Sequence, residues 1–289
     1  MIDALVSLAF LAQVIRIAVP YVLAALGGAV TERSGVIDLA LEAKLLFGAF
    51  AAAAVGHATG SAPAGIAAAL AAGMAVSAVQ VVLSLRFRAN QVIVGIGLNL
   101  IALAGTRFLL QLIYHEGANS PPAPSYGDAV AGNPLVWGAA CAAVLVPLAV
   151  TRTRWGLRLR AAGDRPDALL AVGIPPSRPR MLAALVGGAL SGAGGAQLSL
   201  VVGGFSADMS SGRGYIALAM IILSGWRPAI AALACVGVAA AEAINIQLQV
   251  TGSTALRELA PLLPYVITLV VLVIEGGKRT PPPASLGKP

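Results

Sequence analysis

Apolar runs of about 20 residues recur along this chain from its first residues to Ile274. Each is long enough to cross roughly 30 Å of hydrocarbon. No polar stretch between them could form a separate soluble domain. Residues 1–289 are therefore expected to form one transmembrane domain, an all-α polytopic helical bundle. The composition agrees, with 58% hydrophobic residues, 11% charged residues and a mean hydropathy of +0.87. The N-terminal stretch has no basic leader region and stays apolar to about Val30, which predicts a retained helix rather than a cleaved signal peptide.

The net charge of +7 does not point to nucleic acid, because of where the charges lie. Seven arginines (Arg152, Arg154, Arg158, Arg160, Arg165, Arg178 and Arg180) crowd residues 151–180, marking a cytoplasmic loop by the positive-inside rule. Residues 114–134 carry Glu116 and Asp128 but no Lys or Arg, which places them on the opposite, external side. Counting outward from these anchors predicts eight to nine spans, near 4–30, 36–56, 63–85, 91–113, 134–150, 181–203, 214–225, 229–250 and 261–275. Arg86, Arg88, Arg227, Lys278 and Arg279 then share the cytoplasmic side and the N-terminus is external. Arg16 interrupts the first span and could divide it into an interfacial helix and a shorter crossing. Cys141 and Cys235 fall in apolar runs and are read as small buried hydrophobes.

Within this apolar background, residues 34–44 read SGVIDLALEAK. A shift of 177 residues lays Ser34-Gly35 over Ser211-Gly212 and Gly48 over Gly225. In the span count the two copies run in opposite directions, the pattern of inverted repeats with broken half-helices around a translocation path. Gly35, Gly212 and Gly214 are the expected breaks, tolerated where freed backbone faces protein or water. If a helix starts at residue 36, Asp38 and Glu42 share one face and Lys44 points away, free to snorkel. An acidic face avoids lipid, so these carboxylates are expected to line the bundle interior, with an N-cap as the alternative role for Asp38. Asn99, Arg107, Gln197, Glu242 and Asn245 are further polar residues in apolar spans. Glu242 is either functional or paired with an arginine.

Absent motifs narrow the function. There is no P-loop, HExxH helix, GxSxG elbow or Cys/His cluster, and His57 and His115 fall at predicted external span ends, so catalysis by this chain is not expected. The run GGALSGAGGA (187–196) lacks a preceding strand and GxGxxG spacing. It suits helix packing through Gly188, Gly192 and Ala196. In the basic loop, Asp164 is placed to cap a short helix that Pro166 opens, Ala168 lies within and Gly173 ends. The arginines need only anionic lipid as partner. The short helix suits a groove on a cytoplasmic protein.

Four blocks carry a resemblance: ERSGVIDLALE (32–42), NQVIVGIGLNLIAL (90–103), TRWGLRLRAAGDRPDALLAVGI (153–174) and SGRGYIALAMIILSGWRP (211–228). In order and spacing they resemble permease subunits of bacterial ATP-binding-cassette importers, in the group shared by ribose, branched-chain amino acid and nucleoside systems. The first and last blocks look most like the nucleoside branch. Ala43-Lys44 departs from the glycine and apolar residue common in relatives.

The resemblance implies a multi-pass protein of the bacterial inner membrane, paired with a second permease. Its other implied partners are two cytoplasmic ATPases that bind ATP and magnesium, and a periplasmic or lipoprotein substrate-binding protein; the chain itself needs no cofactor. It implies coupling to the ATPase through Arg158, Gly163, Asp164, Pro166, Ala168 and Gly173. Asp38, Glu42, Asn99, Gln197 and Glu242 are the candidates to line the path of a small polar solute, by alternating access. A stand-alone facilitator and a proton-coupled secondary transporter are the competing readings, and sugar or branched-chain amino acid the competing solutes.

Overall fold

The computed structural model describes residues 8–127, 130–251 and 281–288. The predicted span 261–275, together with Asp128, Lys278 and Arg279, lies outside them. Among the described residues ten α-helices follow in order: α1 Leu8–Arg33, α2 Leu41–Thr59, α3 Ala62–Val81, α4 Gln91–Tyr114, α5 Pro134–Arg152, α6 Arg154–Asp164, α7 Pro166–Ala171, α8 Ser177–Val202, α9 Arg213–Leu223 and α10 Pro228–Thr251. A π-helical turn, Val82–Arg86, prolongs α3. Seven of these helices are long and apolar enough to cross a membrane. α9 is apolar but only 11 residues long. At about 1.5 Å per residue it covers roughly half of the hydrocarbon thickness.

α1 is continuous through Arg16, so the division of the first span does not occur. A helix keeps its own backbone satisfied and can carry one long cationic side chain without breaking. Gly35, Ala162, Arg180 and Ser285 meet at one end, and His57 bonds the Pro122 carbonyl at the other (2.8 Å).

α8 is the axis of the bundle, and its glycines make it so. A Cβ on Gly187 would collide with Gly27 of α1, one on Gly195 with Leu45 of α2, and one on Gly188 with Gly73 of α3. Gly192 meets Ala69 of α3, while Gly48 of α2 lies directly on Gly192. The packing reading of residues 187–196 therefore holds: the missing side chains let three backbones approach one helix. α2 and α8 are the most buried spans, whereas α4 and α5 turn large apolar residues such as Ile93, Leu100, Phe108 and Trp137 outward, as a lipid-facing wall requires. Cys235 is buried, but Cys141 is exposed on α5. An apolar run alone does not separate a core face from a lipid face.

Candidate functional site

The first break follows α1. Ser34 Oγ donates to the Thr31 carbonyl (2.6 Å) and Gly35 takes a φ of +98°, a conformation that suits glycine. The chain then stays non-helical until Leu41, five residues later than expected for this helix start. Side chains from other helices satisfy it. The Ile37 N–H donates to Gln91 Oε1 (2.7 Å), and Gln80 Nε2 donates to the Ile37 carbonyl (2.9 Å). Asn99 Nδ2 donates to the Leu39 carbonyl (2.8 Å), while its Oδ1 accepts from the Ala43 N–H (3.0 Å) and so caps α2, whose own Ala40 cannot. Glu32 accepts from the Asp38 N–H and from Trp226 Nε1 (2.6 Å).

Because α2 begins at Leu41, Asp38 precedes the helix and shares no helical face with Glu42. Nor does Lys44 snorkel: its ammonium pairs with Asp38 Oδ1, and both side chains are 0% exposed. The unwound segment bends the carboxylate back over the first turn of α2, which a helix starting at residue 36 would prevent. Asp38 Oδ2 has no hydrogen-bond partner among the described residues.

The second break precedes α9, with Ser211 and Gly212 at φ of +46° and +79°. Here Glu42 is the cap. Its two oxygens accept from the N–H groups of Gly212 (2.8 Å) and Gly214 (2.7 Å), placing a carboxylate on the positive end of the half-helix. Gly214 lies so close that a Cβ there would overlap the Glu42 backbone. α2 leaves the arginine end and α9 runs toward it, as an inverted pair should. The match of Gly48 with Gly225 is not conformational, since Gly48 lies inside α2 whereas Gly225 turns the chain beyond α9 at φ +61°.

Asn99 Nδ2 also donates to Tyr215 Oη (3.1 Å), tying the two breaks together. Beside them Arg213 pairs with Glu242 (2.7 Å), which also accepts from Tyr21 Oη (2.8 Å). The arginine pair is thus the partner of Glu242. A cavity of about 280 Å³ adjoins this cluster, lined by Gln13, Arg16, Gln197 and Arg213. Gln197 Oε1 accepts from Asn133 Nδ2 (2.9 Å), and its Nε2 is buried without a partner among the described residues. Asn245 bonds Gln249 instead of Glu242, and Arg107 is exposed.

At the arginine end the loop is more ordered than expected. Residues 154–164 form α6, capped by Thr153 Oγ1 on the Gly156 N–H (3.0 Å). Asp164 is therefore the last residue of α6 and does not cap α7, whose N-cap is Arg165 without a side-chain bond. Gly156, Leu159, Ala162 and Gly163 turn inward with helical spacing, a pattern hidden by the arginines between them. Gly163 lies on the Arg33 carbonyl at the first break. On α7 Leu169 is buried, Pro166 is half-buried, and Ala168 and Leu170 are exposed; Gly173, at φ +74°, and Val172 follow. Arg158 is exposed on α6.

Of the predicted site residues, Asp38, Glu42 and Asn99 converge around the breaks. Gln197 and Glu242 stand at the adjoining cavity and its ion pair. The sequence reading missed Glu32, Gln80, Gln91, Tyr21, Arg213 and Trp226. Buried polarity in apolar helices was an available signal for Glu32 and the glutamines.

The family pattern described as "Branched-chain amino acid transport system / permease component" matches residues 10–274. The guanosine ABC transporter permease protein NupQ of Bacillus subtilis is 29% identical, over 93% of this chain and 92% of its own. The nucleoside ABC transporter permease protein NupC of Lactococcus lactis is 30% identical, over 92% and 91%. TsgC13 of Haloferax volcanii, named provisionally as a glucose ABC transporter permease, is 33% identical over 74% and 70%. No solved structure matches.

Proposed function

Because the chain belongs to the family of branched-chain amino acid transport system permease components, we propose that it carries a nucleoside into the cytoplasm as one permease of an ATP-driven importer. It is a multi-pass protein of the bacterial inner membrane. The arginine end faces the cytoplasm and residues 114–134 face the periplasm. Its partners are a second permease, two cytoplasmic ATPases that bind ATP and magnesium, and a substrate-binding protein at the external face.

The observation that carries this reading is the α6–α7 knob. Leu157, Leu170 and Val172 are 62%, 58% and 68% exposed on it, while Gly163 beneath them touches the first break. Apolar side chains displayed by short helices among arginines suit a protein groove better than water. A push on the knob reaches the break where Gly163 lies on the Arg33 carbonyl. ATP binding by the partners would move the knob, the break would follow, and the solute would pass along the polar cluster. Gln197 and the Arg213–Glu242 pair suit contact with nucleobase and ribose groups. Asp38, Glu42 and Asn99 hold the backbone that shapes the path.

Proteoliposomes holding the permease pair, ATPase and binding protein provide the test. Leu170→Asp is expected to lower nucleoside uptake at least tenfold while the protein still inserts. ATP-independent uptake by this chain alone would overturn the reading in favour of a facilitator or proton-coupled carrier. Uptake of glucose or branched-chain amino acids in preference to nucleosides would overturn the solute assignment.

A further inference from the structure

We infer that Arg180 and residues 281–288 form a clasp that joins the knob to the first break, so that motion of α6 is delivered to residues 34–40. The inference rests on the coupled-permease reading above and adds to it the parts that transmit the motion.

Arg180 stands in the first two turns of α8, where its own helix dipole disfavours a cation, and it is only 3% exposed. A residue that breaks a local rule inside a packed region owes its place to tertiary contacts. Among the described residues those contacts are carbonyls and a hydroxyl. Nε donates to the Ser34 carbonyl (3.3 Å), just beyond the end of α1, and Nη2 donates to the Ala162 carbonyl (3.4 Å) in the last turn of α6. One guanidinium thus closes the negative ends of two helices, one on each side of the proposed joint.

The C-terminal segment completes the ring. Nη1 of Arg180 donates to the Lys288 carbonyl (3.0 Å) and Nη2 to Ser285 Oγ (3.1 Å). The Ser285 N–H donates to the Gly163 carbonyl (2.8 Å), and its hydroxyl lies within reach of the Ala162 and Gly163 carbonyls (2.9 and 2.7 Å). The Gly287 N–H donates to the Gly35 carbonyl (3.0 Å). Residues 285–288 therefore hold the C-terminus of α6 with one end and the break glycine with the other. Lysine at position 180 could not reproduce this set, because a single ammonium cannot present the planar, divergent donors of the guanidinium.

The proposal makes Arg180 and Ser285 positioning residues, which act through the break and touch neither solute nor nucleotide. The readout is nucleoside transported per ATP hydrolysed by the complete importer in proteoliposomes, with co-purification of the ATPase as the control. Ser285→Ala keeps the main-chain bonds, and Arg180→Lys keeps the charge. Both are expected to leave the complex assembled and hydrolysing ATP while transport per ATP falls roughly fivefold or more, a typical coupling between sites. Deletion of residues 281–289 is expected to do the same. Unchanged transport per ATP in Ser285→Ala and Arg180→Lys would overturn the clasp and leave the importer reading intact. Loss of ATPase co-purification in these variants would also overturn it, assigning the residues to assembly. ATP-independent uptake by the wild type would overturn the importer reading on which it rests.

Discussion

The two breaks in this bundle are held by different materials. Beyond the main-chain bonds at Ser34 and Gly35, residues 34–40 are fixed by side chains of the flanking and neighbouring helices: Glu32, Gln80, Gln91, Asn99, Arg180 and the buried Lys44. Residues 203–207 are fixed instead by backbone. Ala118, Ser120 and Ala123 of the long loop exchange main-chain bonds with Ala207, Phe205 and Gly203, with a lone antiparallel bridge between Asn119 and Ser206. Glu42 caps the end of this second break, where Arg213 also donates to the Met209 carbonyl (3.1 Å). A backbone-paired segment tolerates sequence change, because every residue but proline carries the same groups. A segment held by buried side chains does not.

Single substitutions can break or sharpen this contrast. The largest effect is expected for Lys44→Ala, which strands the Asp38 carboxylate in a fully buried site and should cost about 3–5 kcal/mol. Thermal unfolding in detergent measures it, and Lys44→Met combined with Asp38→Leu should recover most of the loss. Glu42→Gln keeps the shape but puts an NH2 that cannot accept against one of the two backbone N–H groups and removes the charge from the other bond, for an expected cost of about 1.5–3 kcal/mol. Faster proteolysis within residues 203–212 should accompany it. Ser120→Ala removes the hydroxyl that accepts from the Phe205 N–H (2.8 Å) and leaves the main-chain pairing, so about 0.5–1.5 kcal/mol is expected. If Ser120→Ala proved as damaging as Glu42→Gln in the same assay, the proposed division between backbone and side-chain support would fail.

The contrast also explains what the sequence made legible. The seven long spans announced themselves by apolar length, and the close approach along α8 by its glycines, because both depend on nearby residues. The caps did not. Helix α2 is capped by Asn99, 56 residues away from Ala43, and α9 by Glu42, 170 residues before Gly212. Rules that look for Ser, Thr, Asp or Asn just before a helix turned to Asp38 and Asp164, and neither caps the helix after it. α6 was missed for a related reason. Four arginines in residues 154–165 made a helix look like a loop, although Leu159 and Gly163 already marked its inner side. Long-range partners are invisible to a reading that moves residue by residue, and buried polar side chains are where they gather.

α8 leaves the clasp at Arg180 and meets α1, α2 and α3 across glycines. There backbone rests on backbone, and the side chains that share those turns, such as Thr31 and Ser77, are small. The rod that begins beside the knob therefore sits in a three-sided sleeve with no room for one added methyl group, and its bare positions hold the walls as firmly as any filled core.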